Sequence, residues 1–255
     1  MERWDRFFEV LVEKDPHGRL RSIHNGIEMY DHAKEWVTHV CMQGSDVRQT
    51  VRLREAYGKP IVNDELEYEG NVPNPWGCIS AEEEVHRIWS IMLNGGYGGH
   101  GETYWNAEDV LWWSKGGVLH GESPDRIRFL RDIIESAPRG GLDPQIGVAG
   151  NVFDDRSVDS IYLWFKFSGA SVGSDYTLVY LEDYQPVRVA LWLDDSTYEI
   201  DVIDPWEMTV TPAATHRLTG RPEYLEDDED ATDPTHDVEL PGRPRLALRI
   251  QRVSA

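Results

Sequence analysis

The hydrophobic periodicity of the chain changes once, near residue 145, and no other feature limits the fold as strongly. Before it, helix-like and strand-like segments alternate. Trp4, Phe7, Phe8 and Leu11 recur at helical spacing. Leu20 to His24 and Trp36 to Gln43 are strand candidates. Asp46 to Tyr57 is a helix candidate, capped by Ser45 or Asp46 and stopped by Gly58 and Pro60. Pro60 to Leu66 is a buried strand running into a polar tip. Ser80 with Glu83 three residues on is a capping-box pattern, and that helix runs to Gly95-Gly96. Tyr97 to Tyr104 and a last helix from Pro124 to Ser136 complete the first part.

Strand, helix, strand, helix predicts parallel βαβ units. Four strand candidates in about 140 residues fall short of a closed (β/α)8 barrel, which takes roughly 250 residues. The first part is therefore a small open sheet or half a barrel. The second part is a series of short alternating runs: SIYLWFKF (160–167), YTLVYL (176–181), VRVALWL (187–193), TYEIDVI (197–203), EMTVT (207–211) and RLALRIQR (245–252). Gly, Pro, Asp and Asn separate them, which predicts an antiparallel β-sandwich. Its aromatics, Tyr162, Trp164, Phe165, Phe167, Trp192 and Trp206, are read as core side chains before a sugar-stacking platform.

Charge excludes whole classes of partner. The 46 Asp and Glu against 25 Lys and Arg leave a net charge of −21 over 255 residues. Nucleic acid and anionic membrane both require the opposite sign. Only five of the 25 basic residues are Lys, and an acidic, Lys-poor surface predicts adaptation to high salt, where self-repulsion is screened. The EDDED run at 226–230 reads as a solvated loop, lacking the alternation of a calcium loop. Cys41 and Cys78 form no metal-ligand or redox spacing. No apolar run reaches the roughly 18 residues of a membrane span. MERWDRFFEVLVEKD carries charge throughout and is no secretory signal; the stretch as it stands reads as cytoplasmic and leaves the location of the protein unknown.

The polar residues of the first part gather where parallel α/β folds bind ligands, at strand C-termini. The first strand ends in His24-Asn25. The second holds His39 and ends at Gln43. The third ends in Asn63-Asp64-Glu65. The fourth holds His100 and Glu102, followed by Tyr104-Trp105. A lone strand histidine is usually a satisfied structural residue; four successive strands ending this way point to an active-site rim.

Several stretches carry a family resemblance: WDRFF, SIHN, WVTHVCMQ, KPIVNDELEYEGN, WGCISAEEEVHRIW, GGYGGHGETYW, WWSKGGVLHGESPDRIRFLRDII and VIDPWEMTVTP. The chain resembles the later part of the apiosidase-like glycoside hydrolases, clan-A-type (β/α)8 enzymes followed by a β-sandwich. The resemblance implies residues 1–142 as strands five to eight of a barrel and residues 143–255 as the sandwich. It implies Glu65 as the catalytic nucleophile, matched within Asp64-Glu65-Leu66-Glu67-Tyr68-Glu69, where Asp64 and Leu66 depart from the family's Gly and Pro. Glu67 and Glu69 compete for that role but fall past the strand, where solvated or loop-stabilising positions are expected.

A nucleophilic carboxylate must be fixed and ionised, and Tyr68 can donate a hydrogen bond that keeps it so. His24, Asn25, His39, Gln43, Glu69, His100, Glu102 and Trp105 are the expected sugar-binding residues, with Trp76 a further stacking candidate. Glycoside hydrolysis needs a second carboxyl group, which the resemblance places on the fourth barrel strand, before this chain starts. The expectation is a truncated or split glycosidase with no cofactor, completed by a complementary half-barrel or by self-association; the alternative is a non-catalytic carbohydrate-binding or structural remnant. A metal hydrolase built on His39, His100 and Glu102 is disfavoured, because the spacing lacks the two-histidine helical pattern.

Overall fold

A computed structural model of the chain describes residues 2–24, 28–105, 107, 118–145, 148, 152–153, 167–220 and 234–253. Asn25, most of the 160–167 run and the acidic 226–230 run lie outside the described residues. Two compact units form, Met1–Gly121 and Glu122–Ala255, so the helix expected to close the first part belongs to the second unit.

The first unit contains α1 (Glu2–Lys14), β1 (Val40–Gln43), α2 (Gln49–Tyr57), β2 (Ile61–Glu65), β3 (Glu69–Gly70), α3 (Ala81–Leu93), β4 (Gly96–Gly98) and β5 (Glu102–Thr103). Strands β1, β2 and β4 form one parallel sheet with β2 in the middle. Helix α2 connects β1 to β2, and α3 lies on the longer connection from β2 to β4, as parallel strands require. Gly58 ends α2 in the left-handed region at φ 59°, its N–H bonded to Arg54 O at 2.8 Å. Ser80 caps α3, its Oγ accepting the Glu83 N–H at 3.2 Å. Val40, Met42 and Ile61 pack with Leu53 and Tyr57 as a core between sheet and helix; each such buried side chain contributes about 1.5–3 kcal/mol.

Three strands expected in the first part are shortened, broken or absent. Tyr97–Tyr104 is split: β4 ends at Gly98, and β5 starts at Glu102 and pairs with β3 rather than with the three-stranded sheet. Leu20–His24 is not a regular strand, because side-chain hydroxyls replace ladder partners. Thr38 Oγ1 accepts the Arg21 N–H at 2.7 Å, and Ser22 Oγ donates to His39 O at 2.6 Å while accepting the Cys41 N–H at 3.1 Å. The Trp36–Gln43 strand begins only at Val40, since Val37 N turns back to Lys34 O at 3.1 Å.

The second unit holds α4 (Ser123–Glu135), β6 (Asp143–Pro144), β7 (Ser168–Val172), β8 (Tyr176–Tyr180), β9 (Arg188–Ala190), β10 (Ser196–Asp204), β11 (Thr209–Leu218), β12 (Asp237–Glu239) and β13 (Ala247–Arg252). Six of these strands form an antiparallel sheet in the order β11-β10-β13-β8-β7-β6. Strands β9 and β12 pair separately, and their Val189 and Val238 join Val179, Ile200, Leu248 and Ile250 in one apolar core. Pro212 sits in the edge strand β11, where a missing N–H costs least. Phe167 is core, as expected, at 7% exposure. Trp206 instead carries the Arg126 guanidinium 3.7 Å over its ring.

Candidate active site

The site begins with a register shift. Along β1 and β2, Met42 faces Asn63, but Gln43 faces Glu65, leaving Asp64 as an extra residue in β2. Successive strand residues normally point to opposite faces; a bulge re-aims one of them. Asp64 and Glu65 consequently both reach the His24 ring. Its Nδ1 lies 3.1 Å from Asp64 Oδ1 and Oδ2, and its Nε2 lies 3.4 Å from Glu65 Oε2. Gln43 Nε2 donates to the same Glu65 oxygen, and the Tyr68 hydroxyl hydrogen-bonds Glu65.

The turn after β2 is equally constrained. Glu67 takes φ 73°, a region that costs an L-residue energy. Arg87 of α3 holds it there, bonding Glu67 Oε2 at 2.8 Å, Leu66 O at 2.6 Å and Glu83 Oε1 at 2.9 Å. The turn carries Tyr68 back over the strand end, its ring so close to Gly101 that a Cβ there would lie 2.6 Å from Cδ1. Burial, then the Glu65 charge and hydrogen bond, push the Tyr68 phenol well above its ordinary range, so it stays a donor. Burial lowers the His24 pKa, but the hydrogen bonds and charges of Asp64 and Glu65 outweigh it and leave it raised. Cys41 of β1 donates from Sγ to Asp64 Oδ2 at 3.0 Å, and burial with the Asp64 contact pushes its thiol to about 12.

A second carboxylate group lies on the short parallel pair β3–β5, where Glu69 faces Glu102. Glu69, expected past the strand in a solvated or loop-stabilising position, is not solvated: it is 0% exposed and accepts the Tyr104 hydroxyl at 2.7 Å. Glu102 accepts the N–H groups of His120 at 2.6 Å and Gly121 at 2.7 Å. Glu84 of α3, also 0% exposed, accepts Glu69 N at 2.9 Å and Gly101 N at 3.2 Å. Burial, with the Glu69 and Glu102 charges adding to it, raises its carboxyl to about 7.

The structure thus joins Glu65, Gln43, Tyr68 and His24 in one hydrogen-bonded group. His39 stands beside it, with Nδ1 3.0 Å from Thr38 Oγ1 and Asp64 acting on its ring. His100 is exposed and feels Glu69 and Glu102 rather than Glu65. Trp105 is 69% exposed and Trp76 45% exposed, the latter edge-on to Tyr68 at 6.2 Å. Cys41 and Glu84 were not among the sequence-derived site residues, and Asp64 was placed on the rim without a role. Asp64 carried a usable signal, its adjacency to Glu65 at a strand end; Glu84 carried none, because EEE at a helix start reads as a solvated first turn.

Residues 164–251 match the model of a family described as a domain of unknown function, DUF5605. No curated protein matches the sequence. Among solved structures, the chain is similar to a proposed glycoside hydrolase from Bacteroides vulgatus ATCC 8482, at 28% identity and a TM-score of 0.78, over 99% of this chain and 48% of that one. It is similar to a glycoside hydrolase family 5 protein of the same organism, at 13% identity and a TM-score of 0.63, over 97% of this chain and 59% of that one. A third structure, named a glycoside hydrolase, matches at 11% identity and a TM-score of 0.61, over 99% of this chain and 61% of that one. The chain has a glycoside hydrolase fold, and it spans about half the length of the first of these structures, 48%.

Proposed function

We propose that the chain is the nucleophile-bearing part of a carbohydrate-cleaving enzyme. The observation that carries this reading is Glu65: the last residue of the central parallel strand, held by Gln43 and Tyr68 donors and by His24. Those contacts orient one carboxylate oxygen. In parallel barrels, catalytic groups stand at strand C-termini, and β1, β2 and β4 are read as consecutive strands of such a barrel. The apiosidase-like, clan-A character implied by the sequence stretches belongs to the same proposal.

In this reading Glu65 attacks the anomeric carbon of a bound glycoside as the leaving oxygen is protonated. Water then releases the sugar from the glycosyl ester. The protonating carboxyl comes from outside these residues, on a complementary part of the enzyme. His39, Asn25, Glu102, His100 and the exposed Trp105 are the proposed contacts to sugar hydroxyls and ring faces.

The test is reconstitution. A complementary barrel half, supplied in cis or in trans, is expected to give hydrolysis of aryl glycosides. Glu65→Gln is expected to lower kcat by at least about 100-fold, the scale on which single catalytic groups act. Unchanged turnover in that variant would leave the chain a sugar-binding element and end the nucleophile assignment.

A further inference from the structure

Three side chains from separate segments converge beside the strand end: His24 from the extended segment after α1, Cys41 from β1, and Asp64 from the bulge in β2. Their nearest atoms form a small triangle. His24 Nδ1 is 3.1 Å from Asp64 Oδ2, Cys41 Sγ is 3.0 Å from the same oxygen, and Sγ is 3.8 Å from Nδ1. An imidazole nitrogen, a thiolate sulfur and a carboxylate oxygen are the ligand types of zinc. With bond lengths of about 2.3 Å to sulfur and about 2.0–2.2 Å to nitrogen and oxygen, a tetrahedral ion separates its ligand atoms by about 3.4–3.6 Å. The observed triangle brackets those values.

We propose that His24, Cys41 and Asp64 form a binding site for a thiophilic divalent cation, Zn²⁺ or Cd²⁺, with a fourth position open to solvent.

Two further features fit a metal site. The other ring nitrogen of His24, Nε2, faces Glu65 Oε2 at 3.4 Å. A carboxylate behind a metal-bound imidazole fixes its tautomer and raises its basicity. Access is asymmetric: Cys41 is 5% exposed, whereas the His24 and Asp64 side chains are 42% and 41% exposed, so an ion enters from the solvent side onto a fixed sulfur. Binding replaces the thiol proton on Sγ, and any proton on Nδ1, with the metal; the released protons go to solvent. The site does not depend on Glu65 being catalytic, because its test reads the metal directly.

The test uses the full chain, stripped with a chelator and titrated with Cd²⁺ while the ultraviolet thiolate-to-cadmium band is followed; Zn²⁺ is titrated by calorimetry. The expected result is saturation at one equivalent per chain. Cys41→Ser abolishes the band, and Cys78→Ser preserves it. His24→Gln and Asp64→Asn each weaken both ions about 10-fold or more. His24 is half-exposed, so its variant reports even if Cys41→Ser fails to fold, with circular dichroism as the check. Three results would each overturn the site: no band in the parent chain, a band that survives Cys41→Ser, or parent-like affinity in both His24→Gln and Asp64→Asn.

Discussion

Glu84 Oε2 accepts the backbone N–H of Glu69 at 2.9 Å, so a carboxyl on α3 holds in place the strand whose own carboxyl repels it. The pair has a consequence for pH. In the unfolded chain Glu84 titrates near the ordinary carboxylate value of 4.5; in the fold it is raised to about 7, first by burial. The folded state therefore binds this proton more tightly. Its contribution is complete below about pH 4.5 and is lost as the pH rises through about 7, a difference of about 3 kcal/mol. The melting temperature is expected to fall between about pH 5 and about pH 8 at constant salt. Glu84→Gln is expected to flatten that slope, at a cost of about 1 kcal/mol for one amide left without its acceptor. An unchanged slope in the variant would remove Glu84 as the source.

Glu65 permits a sharper test than loss of rate. If it is the nucleophile, Glu65→Gly in the reconstituted enzyme leaves a gap where small anions fit. Azide is expected to restore turnover of an activated aryl glycoside and to yield a glycosyl azide of inverted configuration, identified by nuclear magnetic resonance. A variant that azide leaves inactive, or an azide product of retained configuration, would contradict attack by Glu65.

The parts of the site that depend on local chemistry were legible in the sequence, and those that depend on register were not. Ser80 with Glu83 announced the start of α3, and Gly58 the end of α2, but α2 starts at Gln49 after Arg48 with no side-chain cap, not at the expected Ser45 or Asp46. The strand-end rule placed Glu65, Gln43 and His24 on one rim. Asp64 stood on that rim too, but its sharing of the His24 ring with Glu65 depends on a one-residue bulge, set by pairing with β1 and invisible in composition. Cys41 looked unremarkable because its partners lie 17 and 23 residues away along the chain. Glu84 gave no signal because its partners, the N–H groups of Glu69 and Gly101, lie 15 and 17 residues away along the chain. Leu20–His24 had strand composition, yet the hydroxyls of Thr38 and Ser22 took the bonds that a ladder would have used.

The close approach of β3 and β5 predicts a specific intolerance. A Cβ built on Gly70 would lie 2.6 Å from Thr103 O and 2.7 Å from Thr103 C, both backbone atoms that cannot swing aside. Gly70→Ala is expected to lower stability by about 1–3 kcal/mol, the usual range for overpacking. Gly141→Ala, with nothing within 4 Å of the added carbon, is the control and is expected to be neutral or nearly so. Chemical denaturation of the two variants measures the difference; equal midpoints would show that the strands separate easily.

Helix α1 bears on the need for a partner. Phe8 is buried at 2% exposure, but Phe7, Leu11, Val12 and Trp4 are 57%, 51%, 48% and 43% exposed. A row of large apolar side chains on one surface helix favours association. Sedimentation velocity of the isolated chain is expected to show mass rising with concentration. Phe7→Ser with Leu11→Ser is expected to reduce that rise while Phe8 keeps the helix docked. A stable monomer at all concentrations would argue against a face completed by another chain.

The net charge of −21 sets the last expectation. Most of this charge is at the surface, where repulsion acts over the screening length, about 10 Å in 0.1 M salt and about 3 Å at 1 M. Part of it is concentrated: Glu69, Glu84 and Glu102 act on one another inside the first unit. Compacting such a chain in dilute buffer works against its own field, and screening relieves the folded state more than the expanded one. Potassium chloride is the useful probe, since it screens charge without the strong exclusion effects of sulfate. Raising it from about 0.1 M to about 2 M is expected to increase the melting temperature, most steeply over the first several tenths molar, where the screening length shortens fastest. A flat or falling melting temperature would mean that the carboxylates are already balanced locally by the arginines, and would end the high-salt reading of the composition.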